Sequence, residues 1–233
     1  MADYSIFTIC SKNYRDAYDF VINSWLNTTT KKIYVYTDDK DWKSDNDRIE
    51  IVLFLNKEKN WNKIVKFKTK VFKEFSKKKI PYSIFVDMDC YLLDDIGDVF
   101  KKDFDFAITR LNTPQIAVST GIVYIKYSNK MSLFYDEWEI YETNLEKTRK
   151  PKERTCSNNQ QTFSDLIRSS YKSKKLKIHD IDVNVYNRKA KPGRIKDLIK
   201  QKKEGKKIKV LHFYNTSYRN EDYVNQMVKE FKI

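Results

Sequence analysis

Four short runs of β-branched and aromatic residues, SIFTIC, KIYVYT, IEIVLFL and YSIFV, recur through the first third of the chain, separated by stretches of helical periodicity. Strand-like runs alternating with amphipathic helices are the signature of an α/β domain, a sheet with helices packed on its faces. The pattern predicts strands over 5–10, 32–37 and 49–55, with a helix over 15–26 that lines up Ala17, Phe20, Val21, Ser24 and Trp25 on one face. A strong helix is predicted over 61–77, where Ile64, Val65, Lys68, Val71, Phe72 and Phe75 form a mostly apolar stripe among lysines. Further on, strands are expected at 105–109 and 121–126, helices at 130–146 and 159–170, then an extended or irregular stretch, KLKIHDIDVNVYN. A polar helix over 193–204, a late strand ending near His212 and a helix over 221–231 complete the reading. With four Gly and four Pro in 233 residues, no linker interrupts it, and residues 1–233 read as a single domain.

The fourth run ends unusually. FVDMDCYLLDDI puts four acidic residues into twelve positions, the first two directly after strand-forming residues. On an extended chain, positions i and i+2 share a side, so Asp87 and Asp89 converge just past the strand's C-terminal end, the edge where open α/β sheets bind ligands. Two such carboxylates repel unless a cation lies between them, and hard oxygen donors suit Mg²⁺ or Mn²⁺. Asp94, Asp95 and Asp98 read as solvated. One of only two histidines, His212, also ends a predicted strand, and its nitrogen would complete an Asp/Asp/His set and favour Mn²⁺.

The formal net charge of +14 favours anionic partners, although lysine runs on helix faces are usually just solvated. Cys10, Cys90 and Cys156 are scattered, without metal or disulfide spacing. Neither a secretory signal nor a long apolar span is present, so the expectation is a soluble, cytoplasmic protein; the lysine clusters would suit peripheral contact with an anionic membrane surface.

Taken together, these segments resemble the GT-A fold glycosyltransferases, in particular the retaining nucleotide-sugar enzymes that include glycogenin and bacterial lipopolysaccharide galactosyltransferases. FVDMDCYLL resembles their D-x-D segment, FTICSKNYRDAY their first strand and loop, VSTGIVYIK the strand beside the donor sugar, SNNQQTFSDLI a helix start bearing Asp-Gln, and VLHFYN the segment of the third metal ligand. The resemblance implies a Rossmann-like mixed sheet flanked by helices. It implies a UDP-sugar donor, Mn²⁺ or Mg²⁺ on Asp87, Asp89 and His212, and a glycan or a glycosylated protein or lipid as acceptor. It further implies donor contacts at Thr8, Asn13, Tyr14, Ser119, Thr120 and Gly121, with Lys70 or Lys68 as the basic residue that reaches the donor. Asn159 and Gln160 occupy the Asp-Gln positions, and Asp87, Asp89, Asn159 and Gln160 are the catalytic candidates. An amide at Asn159 cannot act as a carboxylate nucleophile. The family's Lys-Pro-Trp after the histidine is missing, and Arg219, beside Tyr218, stands in as a diphosphate ligand.

Transfer with retention needs no carboxylate base. An inverting alternative would, and Asp136, Asp180 and Asp182 are its unplaced candidates. Two rivals of other classes are weaker. A nucleotidyltransferase would carry a Gly-rich loop after the first strand, and TICSKNYRDAY has no Gly. A basic nucleic-acid-binding module would use its sixteen Tyr and fourteen Phe for stacking, but they fall mainly at core-periodic positions, and no nucleic acid partner is expected.

Overall fold

A computed structural model describes residues 3–12, 15–54, 67–111, 118–148, 158–173, 175–191 and 193–213. The described chain begins with β1 (Ser5–Ile9), α1 (Arg15–Thr28), β2 (Ile33–Thr37), β3 (Ile49–Leu53), α2 (Lys68–Ser76), β4 (Tyr82–Val86) and β5 (Cys90–Leu92). After a 3-10 turn at Gly97–Lys101 come β6 (Phe106–Arg110), β7 (Val118–Lys126), α3 (Asn129–Thr148) and α4 (Asn158–Ser173). The last elements are β8 (Ile178–Ile181), α5 (Val183–Tyr186), β9 (Arg188–Lys189), α6 (Ile195–Lys203) and β10 (Val210–His212).

Seven strands form a central sheet in the order β3-β2-β1-β4-β7-β6-β8. The first four are parallel, β7 runs antiparallel to both β4 and β6, and β8 is parallel to β6. From β1 the chain moves outward to β2 and β3, then returns to place β4 on the other flank of β1. The crevice at the C-terminal ends of β1 and β4 is therefore the switch point where an open sheet binds its ligand.

Helices cover both faces, which is why the central strands are buried on both sides and mostly apolar instead of alternating. All five residues of β2 are buried, as are the first eight of β7. On one face α2, α3 and α4 close over an aromatic core, in which Phe7 stacks on Phe75 with ring centroids 4.0 Å apart and Trp138 packs against Phe163 at 4.8 Å. Such pairs contribute about 0.5–1.5 kcal/mol each beyond their buried area. On the other face Trp25 of α1, the 3-10 turn, α6 and a second sheet of order β5-β10-β9 pack over Ile6, Ile84 and Tyr124.

Some boundaries differ from the sequence reading. The strand expected at 121 starts at Val118, because a bulge in β7 opposite the Ile108–Thr109 step lets β6 pair onward with Ser119 and Val118. The irregular stretch resolves into β8, a single helical turn whose Asp182 side chain accepts the Asn184 N–H at 2.8 Å, and β9. Of the helix expected over 61–77, residues 61–66 lie outside the described residues, as does the helix expected over 221–231.

Candidate metal and donor site

The strand β4 stops at Val86, and residues 87–90 form a turn closed by the Cys90 N–H on the Asp87 carbonyl (3.0 Å). The two aspartates are thus not neighbours on an extended strand, as expected, but occupy two corners of a turn and meet different partners. Lys68, the first residue of α2, donates to both Asp87 oxygens at 2.7 and 3.0 Å, and also contacts the Thr120 carbonyl (3.4 Å) and hydroxyl (3.3 Å). Its ammonium lies 4.7 Å from the centre of the Phe85 ring. Lys68 is buried, while 28 % of the Asp87 side chain stays exposed. Burial pushes the Asp87 carboxyl above its ordinary value; Lys68 pulls it back and the Asp89 charge adds to the push.

Asp89 faces the other way, toward His212. The three-residue strand β10 pairs antiparallel with β5, setting His212 opposite Cys90, and parallel with β9, setting it beside Lys189. Bonds from Phe213 N–H to the Asp89 carbonyl (2.9 Å) and from Ala190 N–H to the His212 carbonyl (2.9 Å) fix the register. From α1, the Trp25 indole donates to the Cys90 carbonyl (2.7 Å) and the Ser24 hydroxyl accepts the Leu92 N–H (3.1 Å), so β5 is pinned from behind. Gly121 makes room for the imidazole: a Cβ there would lie 2.3 Å from His212 Cε1 and 2.7 Å from Nδ1.

His212 Nε2 sits 3.0 Å from Asp89 Oδ1, yet this oxygen is buried and has no hydrogen-bond partner. An orphaned buried carboxylate oxygen is costly and calls for a cation or a proton. Two donors each about 2.1 Å from one ion, at right angles around it, would be about 3.0 Å apart. The pair therefore fits a small divalent ion. Cys90 Sγ lies within 4.8 Å of both donor atoms, but burial, reinforced by Asp89 and Asp87, pushes its thiol well above the ordinary value, and it donates to the Gly121 carbonyl at 3.8 Å. Asp87, expected as a third ligand, lies outside this cluster because Lys68 holds its carboxylate.

Next to Asp87, at the ends of β1 and β2, a cleft is lined by Ile9, Cys10, Ser11, Tyr36, Thr37, Asp38, Phe54 and Phe67. Phe67 directly precedes Lys68, so cleft and ion pair adjoin. Thr8, expected on the donor side, is fully buried one residue short of this lining. Of the two lysines allowed for the donor contact, Lys68 meets Asp87, whereas Lys70 is exposed with its ammonium 5.3 Å from the Phe67 ring centre. Ser119 and Thr120 are buried within β7, Ser119 accepting the Gly121 N–H at 3.2 Å. Asn159 is buried at the start of α4, its carbonyl accepting from the Trp138 indole (3.2 Å), and the Gln160 amide donates to the Val118 carbonyl (3.3 Å). Asn13, Tyr14, Tyr218 and Arg219 lie outside the described residues.

The three carboxylates considered as bases are engaged elsewhere: Asp136 with Lys73 (2.6 Å), Asp180 with Arg110 (2.7 Å) and Asp182 as the cap of α5. Sequence reasoning missed Asn187, which meets His212, and Thr109, which meets Asn187. Their only signal was polarity next to strand ends. Among the described residues, no helix is long and apolar enough to cross a membrane.

No family model matches the chain, and no curated protein matches its sequence. In structure it is similar to the apo-form glycosyltransferase GlyE of Streptococcus pneumoniae TIGR4, at 13 % identity over 99 % of this chain and 63 % of that one, with a TM-score of 0.58. A second crystal structure of GlyE gives 12 % identity, 99 % and 64 % coverage and a TM-score of 0.59. The chain therefore spans less than two thirds of the length of these structures. Likeness at such identity concerns the fold, and the fold is that of a glycosyltransferase: a mixed sheet with helices on both faces.

Proposed function

We propose that this chain is a metal-dependent glycosyltransferase that moves a sugar from a UDP-sugar to a hydroxyl of a glycan acceptor, free or carried on protein or lipid, with retention. The observation that carries the reading is the buried, partnerless Asp89 Oδ1 facing His212 Nε2 at the switch point of a sheet with this fold. Asp89 and His212 would hold Mn²⁺ or Mg²⁺. When bound, the ion would stabilise the negative charge that develops on the departing diphosphate.

The protein's own groups divide the remaining work. The cleft offers the partly exposed Phe54 and Phe67 rings to a nucleoside, with Tyr36 and Ser11 buried behind them, and Asn13 and Tyr14 follow Ser11 in sequence. Lys68, desolvated and held by Asp87, keeps a fixed positive charge where a diphosphate leaving the cleft toward Asp89 would pass. Arg219 would add a second cation. Gln160, tied to the first residue of β7, is the candidate for the anomeric centre, and Asn159 as an amide leaves no carboxylate there for a covalent intermediate. With Asp136, Asp180 and Asp182 engaged elsewhere, attack on the donor face from which the diphosphate leaves is favoured, the departing phosphate taking the acceptor proton.

Calorimetric titration of UDP into wild type and Asp89→Ala, with Mn²⁺ and with EDTA, tests the proposal. Binding that requires both Mn²⁺ and Asp89, followed by turnover of a UDP-sugar with the anomeric configuration kept, is the expected result. Absence of UDP binding in all four titrations would overturn it.

A further inference from the structure

Behind the metal-facing edge of His212 lies a polar chain that the site as described so far does not use. His212 Nδ1 is 2.6 Å from Asn187 Oδ1, and the Asn187 Nδ2 donates to the Thr109 hydroxyl at 2.7 Å. All three residues are at least 96 % buried, so no bulk water substitutes for a lost partner. The direction of this chain follows from the placement of the Asn187 amide, Nδ2 on Thr109 and Oδ1 on the imidazole. An amide has one accepting and one donating end. With the donating end taken by Thr109, the accepting end faces the imidazole, and only an Nδ1–H can satisfy it. That proton on Nδ1 leaves the Nε2 lone pair toward Asp89.

We infer that Asn187, oriented by Thr109, is a positioning residue that holds His212 in the tautomer and ring orientation required for Nε2 to ligate a divalent cation. The inference rests on the metal-binding reading of Asp89 and His212. Three separate segments converge to build it. Thr109 follows the step in β6 that faces the β7 bulge, Asn187 caps the single turn of α5 directly before β9, and His212 ends β10 beside β9. The α5 turn, capped by Asp182, aims the amide, and the β9–β10 pairing sets its height against the ring. Gly121 packs closely against the ring and leaves no space there for a larger side chain. An outer partner of this kind typically changes metal affinity by about 10–100-fold.

The test uses the whole chain and two readouts. The chain has only two histidines, so long-range ¹H–¹⁵N spectra of the metal-free protein, with His179→Gln for assignment, report the tautomer of His212 directly. The expected state in wild type is a ring that always carries its proton on Nδ1, whether or not Nε2 also carries one facing Asp89, and a ring without that preference in Asn187→Leu. Titration of Mn²⁺, followed by electron paramagnetic resonance, is expected to show affinity about 10–100-fold weaker in Asn187→Leu. Thr109→Val should move both readouts in the same direction by less, and Thr109→Ser, which keeps the hydroxyl, should restore them. Circular dichroism melts identify variants that lose the fold, and the Thr109 pair carries the comparison if Asn187→Leu is one of them. A wild-type ring protonated on Nε2 alone, or Mn²⁺ affinity unchanged in both folded Asn187→Leu and Thr109→Val, would overturn the inference and leave the proposed function standing. If wild type itself binds no Mn²⁺, the metal reading fails, and the inference with it.

Discussion

Asp87 and Asp89 are two residues apart and belong to two differently built halves of one site. In the first half every charge is already answered: Asp87 holds Lys68, and Lys68 is shared with Thr120. In the second half, His212 is oriented from behind by Asn187, and the carboxylate oxygen in front of it has no hydrogen-bond partner. The first half is complete as folded, an ion pair closed on itself. The second, on the proposed metal-binding reading, would be completed by a cation. A repeated carboxylate in a short motif therefore does not mean a repeated role.

The sharpest way to break this contrast is to remove each carboxylate's function in turn. Asp89→Ala should reduce Mn²⁺-dependent UDP binding by more than the roughly 10–100-fold expected for an outer partner. In metal-free protein the same change should leave the melting temperature unchanged or raise it, because it deletes a buried oxygen that nothing satisfies. Calorimetry and a thermal melt check the two halves of that statement. Lys68→Met should behave oppositely and destabilise the metal-free protein by about 2–3 kcal/mol, below the 3–5 of a wholly buried pair because Asp87 is partly exposed. Adding Asp87→Asn should recover most of the loss, and Lys70→Ala, in the same helix, should cost no more than a few tenths; urea unfolding measures all three.

Gly121→Ala forces a methyl into the imidazole and should cost about 1–3 kcal/mol while weakening Mn²⁺ binding, with the Lys68–Asp87 pair retained. The smallest effect belongs to an ordinary surface pair and sets the scale. Burial pushes Glu50 up, but hydrogen bonds from Lys32 and Lys78 outweigh it and hold the carboxyl below its ordinary 4.5. Its contribution is present above that pH and is lost as the pH falls through the lower folded value. Glu50→Gln should therefore cost under about 1 kcal/mol near neutrality and nothing in acid, as read from urea melts at the two pH values.

Which parts of this were legible beforehand follows from the range over which each signal acts. The strands of the central sheet were readable because a strand buried on both faces writes its identity locally, as IYVYT and YSIFV do. His212 stood out because histidine is rare in this chain. The distinction between Asp87 and Asp89 was not readable. It depends on where α2 begins, on a turn closed by the Cys90 N–H, and on a strand that arrives more than half the chain later. Asn187 was hidden for a similar reason: its role exists only once three segments meet, and an asparagine after a tyrosine carries no periodicity. The start of β7 was missed by three residues because its pairing with β6 passes a bulge within β7 itself.

The β5–β10 pairing has a consequence for how the molecule holds itself together. It joins positions near 90 and 210 through two strands of three residues each, so few backbone bonds guard a closure that spans more than half of the chain. An ion gripped by Asp89 on one strand and His212 on the other would act as a reversible cross-link across that closure, in the manner of a disulfide. Cross-links that close long loops restrict the unfolded chain most. Occupancy of the site would then be stored as fold stability, and the grip of the last strand on the sheet would follow the supply of metal and donor.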